Sequence, residues 1–352
     1  MNTALIQQVK SSSATVLSSK LFWPLLSLLL LLSYSLITDP DFFSIQIIDD
    51  HFYGSLIDIL NRGAPAALLA LGMMVVIATG GIDLSVGAII AIAGATSAYM
   101  ITQGITDSIF LIVIGTLVIS AFAGLWNGFL VSVLGIQPFI ATLILMVSGR
   151  GVAQLITDGQ ILVFHHKAFD FIGGGFVLGL PFSILIVAVF YVFAGFILRK
   201  TALGLFIESI GSNATASYYV GIQDRTLRII AYVFSGICAG VAGMIIASNI
   251  HGADSNNAGL WSELDAILAV VIGGTAMAGG RFYIIPTLIG VLILQTLTTT
   301  ILSSGLPVQF TQIVKAIVVV LVMLIMSPAF RKQLAFKKKQ AQLTPRQGDH
   351  HE

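Results

Sequence analysis

Apolar residues in this chain come in long unbroken runs, without the alternation or the one-sided helical stripe of a water-facing fold. The runs lie near 21–38, 56–80, 87–103, 109–134, 138–157, 176–198, 229–249, 264–277, 283–302 and 308–326. Most approach the roughly 20 residues that a helix needs to cross a bilayer. Backbone groups in lipid have to be satisfied within their own segment, so the runs predict helices. The eighth run is short and meets the ninth at Gly279-Gly280-Arg281, which predicts either a tight hairpin or a broken helix. The first run follows Lys10 and Lys20. It is longer than a signal-peptide core and no small-x-small cleavage site follows it, so it reads as a span.

Composition agrees with this pattern. Hydrophobic residues make up 57% of the 352 residues and charged ones only 9%, against roughly 25% charged in a soluble domain. That excludes a soluble enzyme, a nucleic-acid binder and a disordered chain. Glycine is abundant, at 35 residues, which suits helices packed closely in lipid. The lone cysteine, Cys238, excludes a disulfide framework and a cysteine metal cluster.

Charge distribution orients the spans. With the N-terminus inside, most of the 17 basic residues fall on one side: Lys10, Lys20, Arg199, Lys200, Arg225, Arg228, Arg281, Arg331, Lys332, Lys337, Lys338, Lys339 and Arg346. The other side holds Lys167 and the acids Asp39, Asp41, Asp49, Asp50, Asp107, Asp158, Asp170, Asp254 and Glu263. Basic loops stay cytoplasmic. The prediction is an all-α polytopic membrane protein of about ten transmembrane helices with both termini in the cytoplasm. A candidate internal repeat relates Val75-Val76-Ile77-Ala78-Thr79-Gly80-Gly81 to Val270-Val271-Ile272-Gly273-Gly274.

Catalytic signatures are missing. There is no H-E-x-x-H, no G-x-S-x-G and no phosphate-binding P-loop, so any use of ATP requires another subunit. The adjacent His165 and His166 lack Cys or acid neighbours at metal-ligand spacing, and no metal site or cofactor is expected. An ion-coupled carrier needs ionisable groups in mid-membrane. Asp58, Arg62, Asp83, Arg150, Asp265 and Lys315 are the candidates, mostly near span ends; Arg150, the deepest, reads as a structural arginine.

The loop 199–228 is the long interior connection. Ser212 or Asn213 is a good N-cap and Gly221 a good residue after a helix end, which predicts a helix of about two turns with Tyr218 and Tyr219 projecting. So short a helix is poorly stable alone and suits docking into a partner.

Several strings together resemble the permease subunits of bacterial ATP-binding-cassette sugar importers of the ribose/galactose/arabinose class. They are Gly80-Gly81-Ile82-Asp83-Leu84-Ser85-Val86-Gly87, Gln137-Pro138-Phe139-Ile140-Ala141-Thr142-Leu143 with Arg150-Gly151, and Gly211-Ser212-Asn213 through Gly221-Ile222. Tyr232-Val233-Phe234-Ser235-Gly236 also matches, as does Leu264-Asp265-Ala266-Ile267 through Gly273-Gly274-Thr275 to Gly279-Gly280-Arg281. The stretches His251–Trp261 and Asn61–Pro65 resemble the galactofuranose branch of that class. Ala216-Ser217 with Tyr218 and Tyr219 departs from the charged loop and paired alanines of relatives.

The resemblance implies a transport subunit of the bacterial inner membrane, with residues 21–326 as the permease domain between a 1–20 cytoplasmic segment and a basic 327–352 tail. It implies alternating access and an ATP-binding subunit with two nucleotide-binding domains. It also implies a second permease chain in a hetero- or homodimer and a periplasmic sugar-binding protein. Gly211, Ser212, Asn213, Ala216, Ser217, Tyr218, Tyr219 and Gly221 become the ATPase-coupling loop, and Gly80, Gly81, Asp83, Ser85, Gly87, Gly273, Gly274, Gly279 and Gly280 the structural motif. Asp83 reads as a cap on the following helix. Candidates for a polyol passage are Asn127, Gln137, Phe139, Thr142, Asn249, Gln295 and Gln312, each also able to bond between helices. Asp254 to Trp261 faces the binding protein or caps its own loop. Galactofuranose is the expected sugar; ribose, galactose, arabinose and an autonomous ion-coupled carrier stand as alternatives.

Overall fold

The computed structural model describes residues 21–305 and 308–326; the predicted N-terminal segment 1–20 and the basic tail 327–352 lie outside the described residues. Helices dominate. In chain order they are α1 (Phe22–Thr38), α2 (Ser55–Ala78), α3 (Val86–Thr102), α4 (Ile109–Ser132), α5 (Pro138–Ile156), α6 (Lys167–Gly174), α7 (Phe182–Lys200), α8 (Ala202–Ser212), α9 (Ala214–Tyr219), α10 (Asp224–Ile250), α11 (Ser262–Ile272), α12 (Ile284–Ser303) and α13 (Val308–Met326). Each apolar run falls on a helix. Among the described residues, α2, α4, α5, α7, α10 and α12 are each long and apolar enough to cross a membrane, while α1 and α3 are shorter. The chain is an all-α polytopic protein.

Two runs are cut differently from their apolar limits. The run 176–198 opens with a small hairpin, β4 (Phe176–Val177) paired to β5 (Leu180–Pro181), and its helix starts only at Phe182. The run 264–277 forms α11, which ends at Ile272, too short to cross alone. There Gly273 and Gly274 close the helix: Gly274 N–H donates to the Val271 carbonyl and Thr275 N–H to that of Val270. This is a Schellman cap. The end of α2 closes the same way, with Gly80 N–H on Ile77 and Gly81 N–H on Val76. Gly80 and Gly274 take matching φ of +82° and +84°. The likeness of Val75–Gly81 to Val270–Gly274 is thus a shared helix ending. Its structural register differs by one residue from the match of the letters.

The predicted hairpin between α11 and α12 forms. A Cβ on Gly290 would strike the Ala269 backbone, and one on Gly273 the Thr287 amide at 2.6 Å, so the two helices run antiparallel in contact. Two further ribbons pair β1 (Gln46–Ile48) with β2 (His51–Tyr53), and β3 (Leu162–Val163) with β6 (Gly252–Ala253).

The core centres on α2, α3 and α10. Most of α2 and nearly all of α3 are buried, and α10 packs against α2, α3 and α4 along its length. Around them, α4, α5 and α7 turn wide apolar faces outward, with Phe122, Val147, Leu155 and Val192 exposed. In lipid such a surface carries no penalty.

Candidate functional site

Two elements of the core begin inside the bundle. After α2 the chain turns at Gly80 and re-enters as an extended segment, so α3 starts beside the middle of α10: Ser235 lies against Asp83 and Gly243 against Ile90. The 252–261 loop likewise folds inward from the far end of α10. Gly259 packs on the Gly87 carbonyl and on Ile90, so the N-termini of α3 and α11 face each other. Where a transport path exists, broken helices with mid-bundle termini commonly flank it.

Asp83 is fully buried and pins the first of these elements. Its Oδ1 accepts the Ser85 amide (3.0 Å) and the Ser85 hydroxyl (2.6 Å), and its Oδ2 accepts the Ser235 hydroxyl (2.8 Å). Asn127 donates to Ser85 Oγ at 2.7 Å, and Thr142 reaches the Ile82 carbonyl at 3.3 Å. A buried carboxylate persists only when such donors surround it. Asp83 therefore forms a turn just ahead of α3, whose N-cap is Ser85, and ties that turn to α10; it does not cap the helix itself.

Glu263, counted from sequence among the outward acids, is instead buried at 3% exposure in the first turn of α11, against Gly87. A carboxylate there is favoured by the helix N-terminus. Sequence spacing gave no sign of this, because the contact depends on two re-entrant segments meeting.

At the end of the bundle that holds α8 and α9, three backbones converge. A Cβ on Gly211 would strike the Ala78 carbonyl and the Gly280 amide, and one on Gly279 would lie 2.8 Å from the Gly80 nitrogen. The Gly280 amide donates to the Ala78 carbonyl at 3.0 Å. Only glycine permits this approach. Asn213 caps α9 by accepting the Ala216 amide at 2.9 Å, and Gly221 follows at φ +86°, as the sequence predicts. Ser217 is buried and its hydroxyl meets that of Ser209 at 2.8 Å. Ala216, Tyr218, Tyr219 and Val220 are exposed. Arg199 lies over the Phe282 ring (4.3 Å), joining the end of α7 to the link before α12.

Beside the start of α3, Arg150 reaches from α5 to the re-entrant 252–261 loop, donating to the carbonyls of Ala258 (2.6 Å) and Ser255 (3.3 Å). Gln154 donates to Asn256 at 2.7 Å, and the Thr157 and Ser255 hydroxyls meet at 2.9 Å. Asp254 closes the turn by accepting both the amide and the side chain of Asn257. Partial burial pulls its carboxyl up, but the Asn257 and Asn256 donors and the Arg150 charge outweigh this and hold it below the ordinary carboxylate value. Leu260 and Trp261 remain exposed beside this clasp.

The passage candidates do not converge within one chain. Asn127 and Thr142 join the Asp83 network, while Gln137 and Phe139 are exposed at the start of α5. Asn249 packs on Gly173 and Gln295 on Gly63, and Gln312 is exposed on α13. Of the ionisable candidates, Lys315 donates to Asp265 at 2.6 Å, joining α13 to α11, and Asp58 and Arg62 are exposed.

Residues 55–326 match the family described as branched-chain amino acid transport system / permease component. The galactofuranose transporter permease protein YtfT of Escherichia coli K12 is 50% identical over 313 residues, 88% of this chain and 91% of that one. The fructose import permease protein FruF of Bifidobacterium longum is 34% identical, covering 93% of each chain. The ribose import permease protein RbsC of Escherichia coli K12 is 36% identical over 86% of this chain and 92% of the relative. No solved structure matches. The chain thus belongs to the branched-chain amino acid transport system / permease component family, as a multi-pass membrane transport subunit and not an enzyme.

Proposed function

We propose that the chain is a permease of an ATP-driven importer in a bacterial inner membrane and carries galactofuranose into the cytoplasm by alternating access. The observation that carries this reading is the 50% identity to a galactofuranose permease, spread over 88% of the chain. Charge asymmetry supports about ten spans with both termini inside, and residues 21–326 as the permease domain. In that topology the 199–228 loop and the Gly211 contact lie on the cytoplasmic side. The Arg150 clasp and the 254–261 loop then face the periplasm, in reach of a sugar-binding protein.

The proposed mechanism follows from the glycine contact. An ATPase subunit with two nucleotide-binding domains grips α9 at Tyr218, Tyr219 and Val220, and its closure displaces α8. With Gly211 seated on Ala78 and Gly280, that displacement reaches the end of α2 and the link before α12 without a compliant side chain between. ATP and the docked binding protein must each favour a different conformation to drive the cycle. A second permease chain completes the passage, since the polar candidates of one chain stay apart and several face outward. Against ion coupling stand the partners of two candidate acids: buried Asp83 is surrounded by hydroxyl and amide donors, and half-buried Asp265 is paired with Lys315.

The test is uptake into proteoliposomes holding this chain, its sister permease, the ATPase and the binding protein, offered galactofuranose, galactopyranose, fructose, ribose and arabinose. Galactofuranose uptake that stops when the ATPase is omitted is expected. Uptake of ribose or fructose alone would replace the substrate, and uptake without the ATPase would overturn the mechanism. Ala216→Glu places a charge on the exposed face of α9; it should abolish uptake while membrane insertion stays normal.

A further inference from the structure

The ribbon between β3 and β6 pairs Leu162 with Ala253 and Val163 with Gly252, and the Phe164 amide donates to the His251 carbonyl at 3.0 Å. This pairing brings His165 and His251, far apart in sequence, to a ring separation of 5.7 Å. Asp170, in the first turn of α6, points its Oδ1 at His251 Nδ1, 3.2 Å away. His166 is not part of this group. Its Nε2 meets the Asp107 carbonyl at 3.1 Å and its Nδ1 accepts the Phe169 amide.

We propose that His165, Asp170 and His251 form a binding site for a zinc-like divalent cation. One ligand atom from each lies within 4.8 Å of the other two. Zinc bonds of about 2.0–2.1 Å put tetrahedral ligands roughly 3.4 Å apart. The His251–Asp170 pair already stands at that spacing, which leaves the exposed His165 to turn the remaining distance. Two imidazoles and a carboxylate select zinc, cobalt, nickel or copper over magnesium or calcium, which prefer all-oxygen sites. Three protein ligands leave a fourth position for water.

The frame behind the site is fixed. Ser248 on α10 accepts the Gly173 amide and donates to the Phe169 carbonyl, each at 2.8 Å, which seats α6 on α10. A scaffold set by packing and backbone bonds is what holds metal ligands in register. A bound cation would staple the 164–170 segment to the turn that leads into the 252–261 loop.

The test is a Co²⁺ titration of the full-length purified chain carrying His350→Ala and His351→Ala, so that the tail histidines do not compete. The expected result is a visible absorption of tetrahedral intensity, saturating at a single equivalent and bleached by Zn²⁺. It should vanish in Asp170→Asn and in His251→Asn, a replacement that keeps the left-handed backbone of residue 251 (φ +51°). It should persist in His166→Ala. Metal-free melting curves establish that each variant is folded. The site is refuted by a Co²⁺ spectrum of weak six-coordinate type. It is equally refuted by a tetrahedral band that survives His251→Asn in a folded protein or disappears in folded His166→Ala.

Discussion

Two joints of this bundle are made in different ways. Around Gly211, three segments meet backbone to backbone, with Ala78, Gly280 and Gly80 in direct contact. Around Arg150, α5 and a loop meet through a side chain that holds the loop's carbonyls. A backbone contact has no rotamers to absorb a push, whereas a long side chain can re-aim and keep part of its bonding. The first joint suits the transmission of force and the second suits adjustment to a docking partner.

The sharpest way to break this contrast is Gly211→Ala. The added methyl meets backbone that cannot swing aside, on the scale of about 1–3 kcal/mol of overpacking. ATP-driven uptake in proteoliposomes should fall by roughly tenfold or more, with the chain still inserted. Wild-type uptake would remove the joint from the mechanism. Next comes Asp83→Ala, which leaves the buried Ser85 amide without its acceptor and should cost about 1–3 kcal/mol of stability, read as a lowered melting temperature. Asp83→Asn should do less, because the Ser235 hydroxyl can turn to accept.

At the second joint Arg150→Ala should cost about 1 kcal/mol, with faster hydrogen exchange confined to residues 254–261, and Arg150→Lys should fall between it and the wild type. Equal losses of uptake from Gly211→Ala and Arg150→Ala would erase the distinction between the joints. The smallest effect concerns pH. Asp254 titrates below its ordinary value, so its contribution to the loop is present above that value and is lost only as pH falls through the lowered one. Exchange in the 254–261 loop, corrected for intrinsic rates, should stay flat from about pH 8 to pH 5.

Much of this architecture was legible in the letters. Among the described residues, long apolar runs mark every helix long and apolar enough to cross a membrane, and Asn213 and Gly221 mark the limits of α9, because length and caps are local properties. What sequence could not give was depth. Lipid and protein core are both apolar, so the enclosed α2 and the outward-facing α7 read alike, although most of α2 is buried and little of α7 is. For the same reason Glu263 reads as a loop acid, and re-entry of the 252–261 loop leaves no signal in hydropathy. His165 and His251 fail by another route: nothing local links two residues that a ribbon of β3 and β6 brings together.

The Asp83 network also bears on how the chain is made. Synthesis delivers α2, the re-entrant segment and α3 to the membrane long before α10, whose Ser235 lies 152 residues beyond Asp83. Until then the carboxylate has only its local turn, the amide and hydroxyl of Ser85, to shield it. The N-terminal half is therefore made with two of the three donors to its central acid, and the third arrives with α10.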